Sequence, residues 1–196
     1  EIMAEKTSVV TADRFKQGLP YRDFIAQINV NQDRFAQYDG TAKDVVTDED
    51  TAFFKKAVEK GCRVLVLGED WCPDVYRGMP LIARVAEVSG MEMRVFPRDV
   101  NLDIADEFLN NGEFRSIPTA VFFNADQEYL GHWIERPALA HKETAEINQA
   151  IEREMAGQDE QVVREARRER INARFPDWQK DTVRELRELL GEKLGI

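Results

Sequence analysis

Cysteine, histidine and long apolar runs are scarce in this chain, and each scarcity excludes a class of protein. Two cysteines in 196 residues cannot staple a scaffold, so the fold must rest on packed side chains, and the chain suits a reducing compartment. The two histidines, His132 and His141, have no cysteine or second histidine at ligand spacing, so no metal centre and no cofactor is expected. No apolar run approaches the roughly 20 residues that span a bilayer, and the opening EIMAEKTSVVTADRF lacks the basic flank and apolar stretch of a signal peptide. A cytoplasmic location is the expectation, with a trimmed leader left open. Glycine-rich phosphate loops, a Ser-His-Asp order and HExxH are missing too. Positive charge is in deficit: a formal charge of -10 and a pI near 4.9 argue against nucleic-acid partners and anionic membrane surfaces, which need clustered basic residues.

What is present suits one sizeable core, with 43% hydrophobic and 33% charged residues. Residues 1–60 read mainly as helices, at 12–17, 21–28 and 48–60, and carry no chemical motif. Residues 63–68, Arg-Val-Leu-Val-Leu-Gly, are almost wholly apolar and branched, as in a strand buried on both faces. A helix is predicted over 73–89, with Pro73 at its first position, where a missing N–H has no intrahelical partner to lose. A strand at 91–96 and a helix at 102–109 follow. Strands at 119–123 and 128–134 flank Asn124-Ala125-Asp126-Gln127, a turn-rich link that makes them an antiparallel hairpin. The pattern is α/β, a mixed sheet flanked by helices. Residues 138–196 are dense in charge of both signs. Their apolar residues recur at helical spacing (Ile147, Ile151, Met155; then Val183, Leu186, Leu190), with breaks expected at Gly157 and at Phe175-Pro176-Asp177. Such helices suit docking on the body, on a partner or on a second copy of the chain.

Chemistry concentrates at Trp71-Cys72-Pro73-Asp74-Val75. A cysteine after a strand and at the first turn of a helix faces unpaired amide N–H groups and the positive end of the helix dipole, which stabilise a thiolate. A pKa below the free-thiol value of about 8.5 is the expectation, opposed by the carboxylate of Asp74. Further on lies Arg115-Ser116-Ile117-Pro118-Thr119, immediately before the predicted hairpin.

Trp-Cys-Pro after an apolar strand, a helix behind it, and Ile-Pro-Thr entering a hairpin strand together resemble the thioredoxin superfamily. Within it they are similar to bacterial thioredoxin-like proteins that carry Trp-Cys-Pro-Asp-Cys. The resemblance covers about residues 61–137, which makes that segment a thioredoxin-like domain between helical extensions at 1–60 and 138–196. It implies that Cys72 is the attacking thiol and that the Ile117-Pro118 bond is cis. It further implies that Trp71, Pro73, Ile117 and Pro118 border the substrate, the backbone before the proline pairing with a bound peptide as an added strand. The chain departs from the pattern twice. Val75 replaces the resolving cysteine, and Val66 stands where dithiol thioredoxins bury a carboxylate six residues before the nucleophile.

Cys62 does not replace the lost thiol. Five or six extended residues at about 3.3 Å each place it beyond about 15 Å from Cys72, whereas a disulfide needs Cα atoms within about 7 Å. A small buried role is expected for it. Three functions stay open: monothiol exchange by Cys72 with protein or glutathione thiols and disulfides, a redox-inactive interaction module, and a shared iron-sulfur cluster as in monothiol glutaredoxins. For the last, the charged residues and glycine pair that those proteins use for glutathione are not evident after residue 134. Asp99-Val100-Asn101-Leu102-Asp103 is better explained by helix capping than as a calcium loop, since Ile104 stands where that loop needs glycine. Glu69 and Asp70 read as a solvated turn.

Overall fold

A computed structural model describes residues 7–196. Four helices open the chain: α1 (Ala12–Lys16), α2 (Tyr21–Gln27), α3 (Gln32–Val45) and α4 (Asp48–Glu59). The sheet begins with β1 (Arg63–Gly68), crosses over α5 (Pro73–Ser89) to β2 (Met93–Pro97), and continues after a 3-10 turn and the single-turn α6 (Leu102–Ala105) with β3 (Thr119–Phe123) and β4 (Tyr129–Ile134). Helices α7 (Ala138–Glu154) and α8 (Glu160–Leu194) complete it. Strand order is β2-β1-β3-β4, with β1 parallel to β2 and antiparallel to β3. The mixed sheet flanked by helices is the expected α/β architecture. Among the described residues no helix is long and apolar enough to cross a membrane.

Burial explains the central position of β1. Val64, Leu65 and Val66 are fully buried and Leu67 almost so, as branched side chains with helices on both sides of the sheet should be. The outer edge of β2 is closed by the turn after α1, where Leu19 and Val95 exchange backbone hydrogen bonds of 2.9 and 2.7 Å. That bridge removes part of the unpaired edge that would otherwise invite another chain.

Helix α3 is an addition to the sequence reading. Its buried residues Phe35, Tyr38, Ala42 and Val45 recur at spacings of three and four, and they pack on α5, Phe35 edge-on and Tyr38 stacked against Tyr76 at 6.3 and 6.1 Å between ring centroids. Gly40 and a polar majority weaken the local pattern, so tertiary packing decides it. The predicted helix at 102–109 shrinks to one turn, α6. The acidic run there does not cap it: Asn101 makes no capping bond, and Asp103 instead takes both terminal nitrogens of Arg14, at 2.9 and 3.0 Å. The strand expected at 91–96 starts at Met93 because Met91 N–H still closes α5 by donating to Ala86 O.

The break expected at residues 175–177 is absent. Helix α8 runs through Pro176, although an interior proline removes one helical hydrogen bond and crowds the preceding turn. Glu143 of α7 holds the helix on both sides of that proline. Its carboxylate accepts from Arg174 Nε and Nη2 (2.6 and 3.0 Å) and from Trp178 Nε1 (2.9 Å). Phe175, Trp178, Val183, Leu186 and Leu190 are buried in the same core as β1. Because Leu186 is fully buried, Leu186→Ala is expected to destabilise the chain by about 2–5 kcal/mol. Urea denaturation should show this loss in a single transition, whereas a helix merely appended to the body would melt separately and leave the main midpoint unmoved.

Candidate functional site

At the end of β1 the chain turns through Glu69, Asp70 and Trp71. This turn is anchored rather than solvated. Glu69 Oε1 accepts the Asp99 N–H (2.8 Å), Asp70 Oδ2 accepts the Asn29 N–H (2.8 Å), and Asp70 O accepts from Asn31 Nδ2 (2.9 Å). The adjacent carboxylates thus point apart, one tying down the segment after β2 and the other the link between α2 and α3. Cys72 is the N-cap of α5 and Pro73 its first residue. The Cys72 carbonyl accepts the first helical bonds, from Val75 N (3.0 Å) and Tyr76 N (3.1 Å).

Facing the thiol is the loop that enters β3. The Ile117-Pro118 bond is cis, and the half-buried Cys72 sulfur donates a long bond to Ile117 O (3.9 Å). Ile117 and Pro118 are buried, while Pro73 and Trp71 are exposed. At Gly78, α5 lies against this loop, where a Cβ would come within contact distance of Pro118 Cγ, at 3.4 Å. Thr119 Oγ1 donates to Ser116 O (2.8 Å), and Glu135 N donates to Pro118 O (2.7 Å). Of the residues singled out in the sequence, the structure brings Cys72, Ile117 and Pro118 together, with Pro73 at the helix start.

Trp71 stands at the rim, 52% exposed, with the Arg98 guanidinium 5.4 Å above its ring. Arg98 also donates to Arg115 O (3.0 Å) and so links the Cys72 turn to the Pro118 loop. No motif in the sequence announced it. Residues 135 and 136 were missed likewise: Arg136 Nε lies 3.4 Å from Asp74 Oδ1 and its Nη2 donates to Glu135 Oε1 (2.8 Å). Glu135 adopts a positive φ of 65°, an uncommon backbone state for a residue with a side chain.

The electrostatics overturn one expectation. Burial pushes the Cys72 thiol up, not down, and it outweighs the Val75 and Asp74 amides that face the sulfur as the helix-start rule requires. The Asp74 carboxylate adds to the rise, and Arg98 opposes it. Cys62 is pushed up to about 12 by burial alone. Both cysteines are free. Val66 and Val75 are fully buried. Among the described residues no group of three His, Cys, Asp or Glu side chains could hold a metal ion.

Burial raises Asp74 to about 6 despite Arg136, and Glu135 contributes to the rise. Between its ordinary value of 3.8 and about 6, the folded chain keeps a proton that the unfolded chain has released. Stability on this group's account therefore falls as pH rises through that window. Asp74→Asn is expected to flatten this slope, by at most about 3 kcal/mol. Urea midpoints of both proteins between about pH 4 and pH 7 provide the check, and parallel pH profiles would refute it.

The fold has counterparts. A crystal structure of a protein of unknown function from Pseudomonas aeruginosa superposes with a TM-score of 0.65 at 15% identity, over 93% of this chain and 98% of that one. A crystal structure of an HIV epitope scaffold gives 0.61 at 18% identity, over 96% of each chain. At such identities the likeness concerns the fold alone. No curated protein matches the chain. A family model described as Thioredoxin matches residues 18–161, from the turn before α2 to the start of α8. With the cis-proline loop set against a helix-start cysteine, this match places the chain in the thioredoxin family.

Proposed function

We propose that the protein is a monothiol thiol-disulfide exchanger that captures a disulfide or glutathionylated partner on Cys72 and holds it until an external thiol arrives. The carrying observation is Cys72 Sγ at the start of α5 within 3.9 Å of the Ile117 carbonyl, with fully buried Val75 where a resolving thiol would stand. In the first step the Cys72 thiolate attacks one sulfur of the partner disulfide. A bond forms between Cys72 and that sulfur, and the other sulfur leaves as a thiolate. In the second step the thiolate of glutathione or another small thiol attacks the mixed disulfide, and Cys72 leaves as a thiolate that takes up a proton. The external thiol's sulfur ends bonded to the captured sulfur, so one disulfide is broken and one formed, and no further oxidant or reductant is required.

The raised thiol supports holding over rapid turnover. A thiol of higher pKa is less ionised at neutral pH and a poorer leaving group, although its thiolate is the stronger nucleophile. Capture is then slow, and release without an added thiol slower still.

A second reading, a redox-inactive interaction module, draws on the rim. Trp71, Val100 and Phe114 are 52%, 79% and 55% exposed, and they sit on segments that Arg98 and Glu69 tie together. Such exposed apolar side chains suit a docked polypeptide.

Two measurements separate the readings. Alkylation of Cys72, followed by mass spectrometry with Cys62 as internal control, is expected to accelerate with pH and reach no plateau below about pH 8.5, the free-thiol value. Incubation with oxidised glutathione should add one glutathionyl group at Cys72 that persists until free thiol is supplied, with none on Cys72→Ser. A chain that takes up no glutathionyl group at any pH where it stays folded would leave only the interaction module.

A further inference from the structure

Positive charge gathers in a cleft of about 510 Å³ between the first turns of α5 and α8. Pro73, Tyr76 and Arg77 form one wall, and Arg164, Arg167 and Arg168 the other. Four arginines against a single lining carboxylate, Glu165, is a local inversion in a chain whose formal charge is -10. Glu165 is not neutralising them through a bond: its carboxylate accepts from Gln161 Nε2 (3.3 Å). Arg167 Nε donates to the neutral Asn148 Oδ1 (2.9 Å). Arg164 and Arg168, one helical turn apart, are exposed and make no ion pair among the described residues.

Arg77 gives an independent indication. It is only 7% exposed, yet no carboxylate pairs with it. Its Nη2 donates to the Asn172 side-chain oxygen (2.9 Å), the Phe175 and Tyr76 rings lie 4.9 and 5.4 Å from its guanidinium carbon, and its Nε has no hydrogen-bond partner. The nearby acid, Asp74, is engaged by Arg136. A buried cation without a carboxylate partner is costly, and an anion held in the cleft that Arg77 lines would offset that cost.

We propose that this cleft binds a thiol compound of tripeptide size carrying two carboxylates, with glutathione, free or in a mixed disulfide, as its type. The proposal rests on the exchange chemistry above and names its small-molecule substrate class. The volume lies within the range of ordinary ligand sites. Arginines on opposite walls can take two separated carboxylates, each in the bidentate geometry that guanidinium groups favour. Pro73 lines the cleft and directly follows Cys72, so the cleft begins one residue from the thiol-bearing position, within reach of an extended tripeptide. When the ligand's sulfur belongs to a mixed disulfide, the Cys72 thiolate bonds to it and the former partner leaves as a thiolate. A second glutathione thiolate then frees Cys72 and departs as glutathione disulfide.

The test uses the full chain as Cys72→Ser, so that binding is read without covalent capture, and S-methylglutathione, which cannot exchange, in isothermal titration. Binding is expected, and it should weaken by about tenfold or more when Arg164→Ala and Arg168→Ala are combined, or when the ligand carboxylates are esterified. Both arginines are exposed, so the variant should melt like its parent. Added salt should also weaken binding. No binding of S-methylglutathione, equal binding by the double variant, or tighter binding of inorganic phosphate or of an aspartate-rich hexapeptide would each overturn the proposal. A chain that binds S-methylglutathione but forms no mixed disulfide at Cys72 would refute the exchange chemistry and keep the cleft. One that exchanges without binding it would do the reverse.

Discussion

The close crossing of α5 over the end of β1 is the constraint on which the site depends. At Gly68 a Cβ would lie 2.5 Å from Met79 Cε and 2.9 Å from Val75 Cγ1, so the helix rests almost on the strand backbone. That approach places Cys72 against the Ile117 carbonyl and makes Val75 part of the core. The same packing explains the thiol. Cys72 is half-buried and precedes the fully buried Val75 in the first turn of α5, and desolvation overtakes the helix-start amides.

Much of this was legible in the sequence because it is local. The branched run at 63–68 can scarcely be anything except a doubly buried strand, Pro73 marks a helix start, and the Ile-Pro-Thr segment led to the cis bond through the family likeness. What was illegible is settled between elements. Nothing near Gly40 tells that Phe35 and Tyr38 will meet Tyr76, and nothing near Pro176 tells that Glu143 will hold Arg174 and Trp178 on either side of it. The direction of the Cys72 shift belongs to the same class. The helix-start rule is correct about the amides, but a local rule contains no account of how much water the tertiary structure removes.

Charge shows the same division between average and place. An overall negative balance argues against polyanionic partners, and that argument concerns the far field. Within a Debye length of about 8–10 Å, a handful of side chains decides the potential. Helix α8 spreads arginines and acids along its surface in nearly equal number, but the Arg170 and Arg174 groups pair with Glu154 and Glu143, whereas Arg164 and Arg168 face the cleft beside α5. The packing of α7 on α8 therefore sorts which arginines are spent on the fold and which face an open site.

That sorting gives the exchange proposed for Cys72 a route to selectivity. A nucleophile gains rate either from ionisation or from having its target held in reach, and holding can substitute for bulk concentrations far above any a cell supplies. Burial disfavours the Cys72 thiolate, so ionisation contributes less of that rate. A ligand anchored by its carboxylates one residue away gains from proximity, and an unanchored one does not. In the proposed exchange, anchoring in the charged cleft would thus favour one class of disulfide without a second cysteine, and the burial that disfavours the thiolate would make that anchoring decisive.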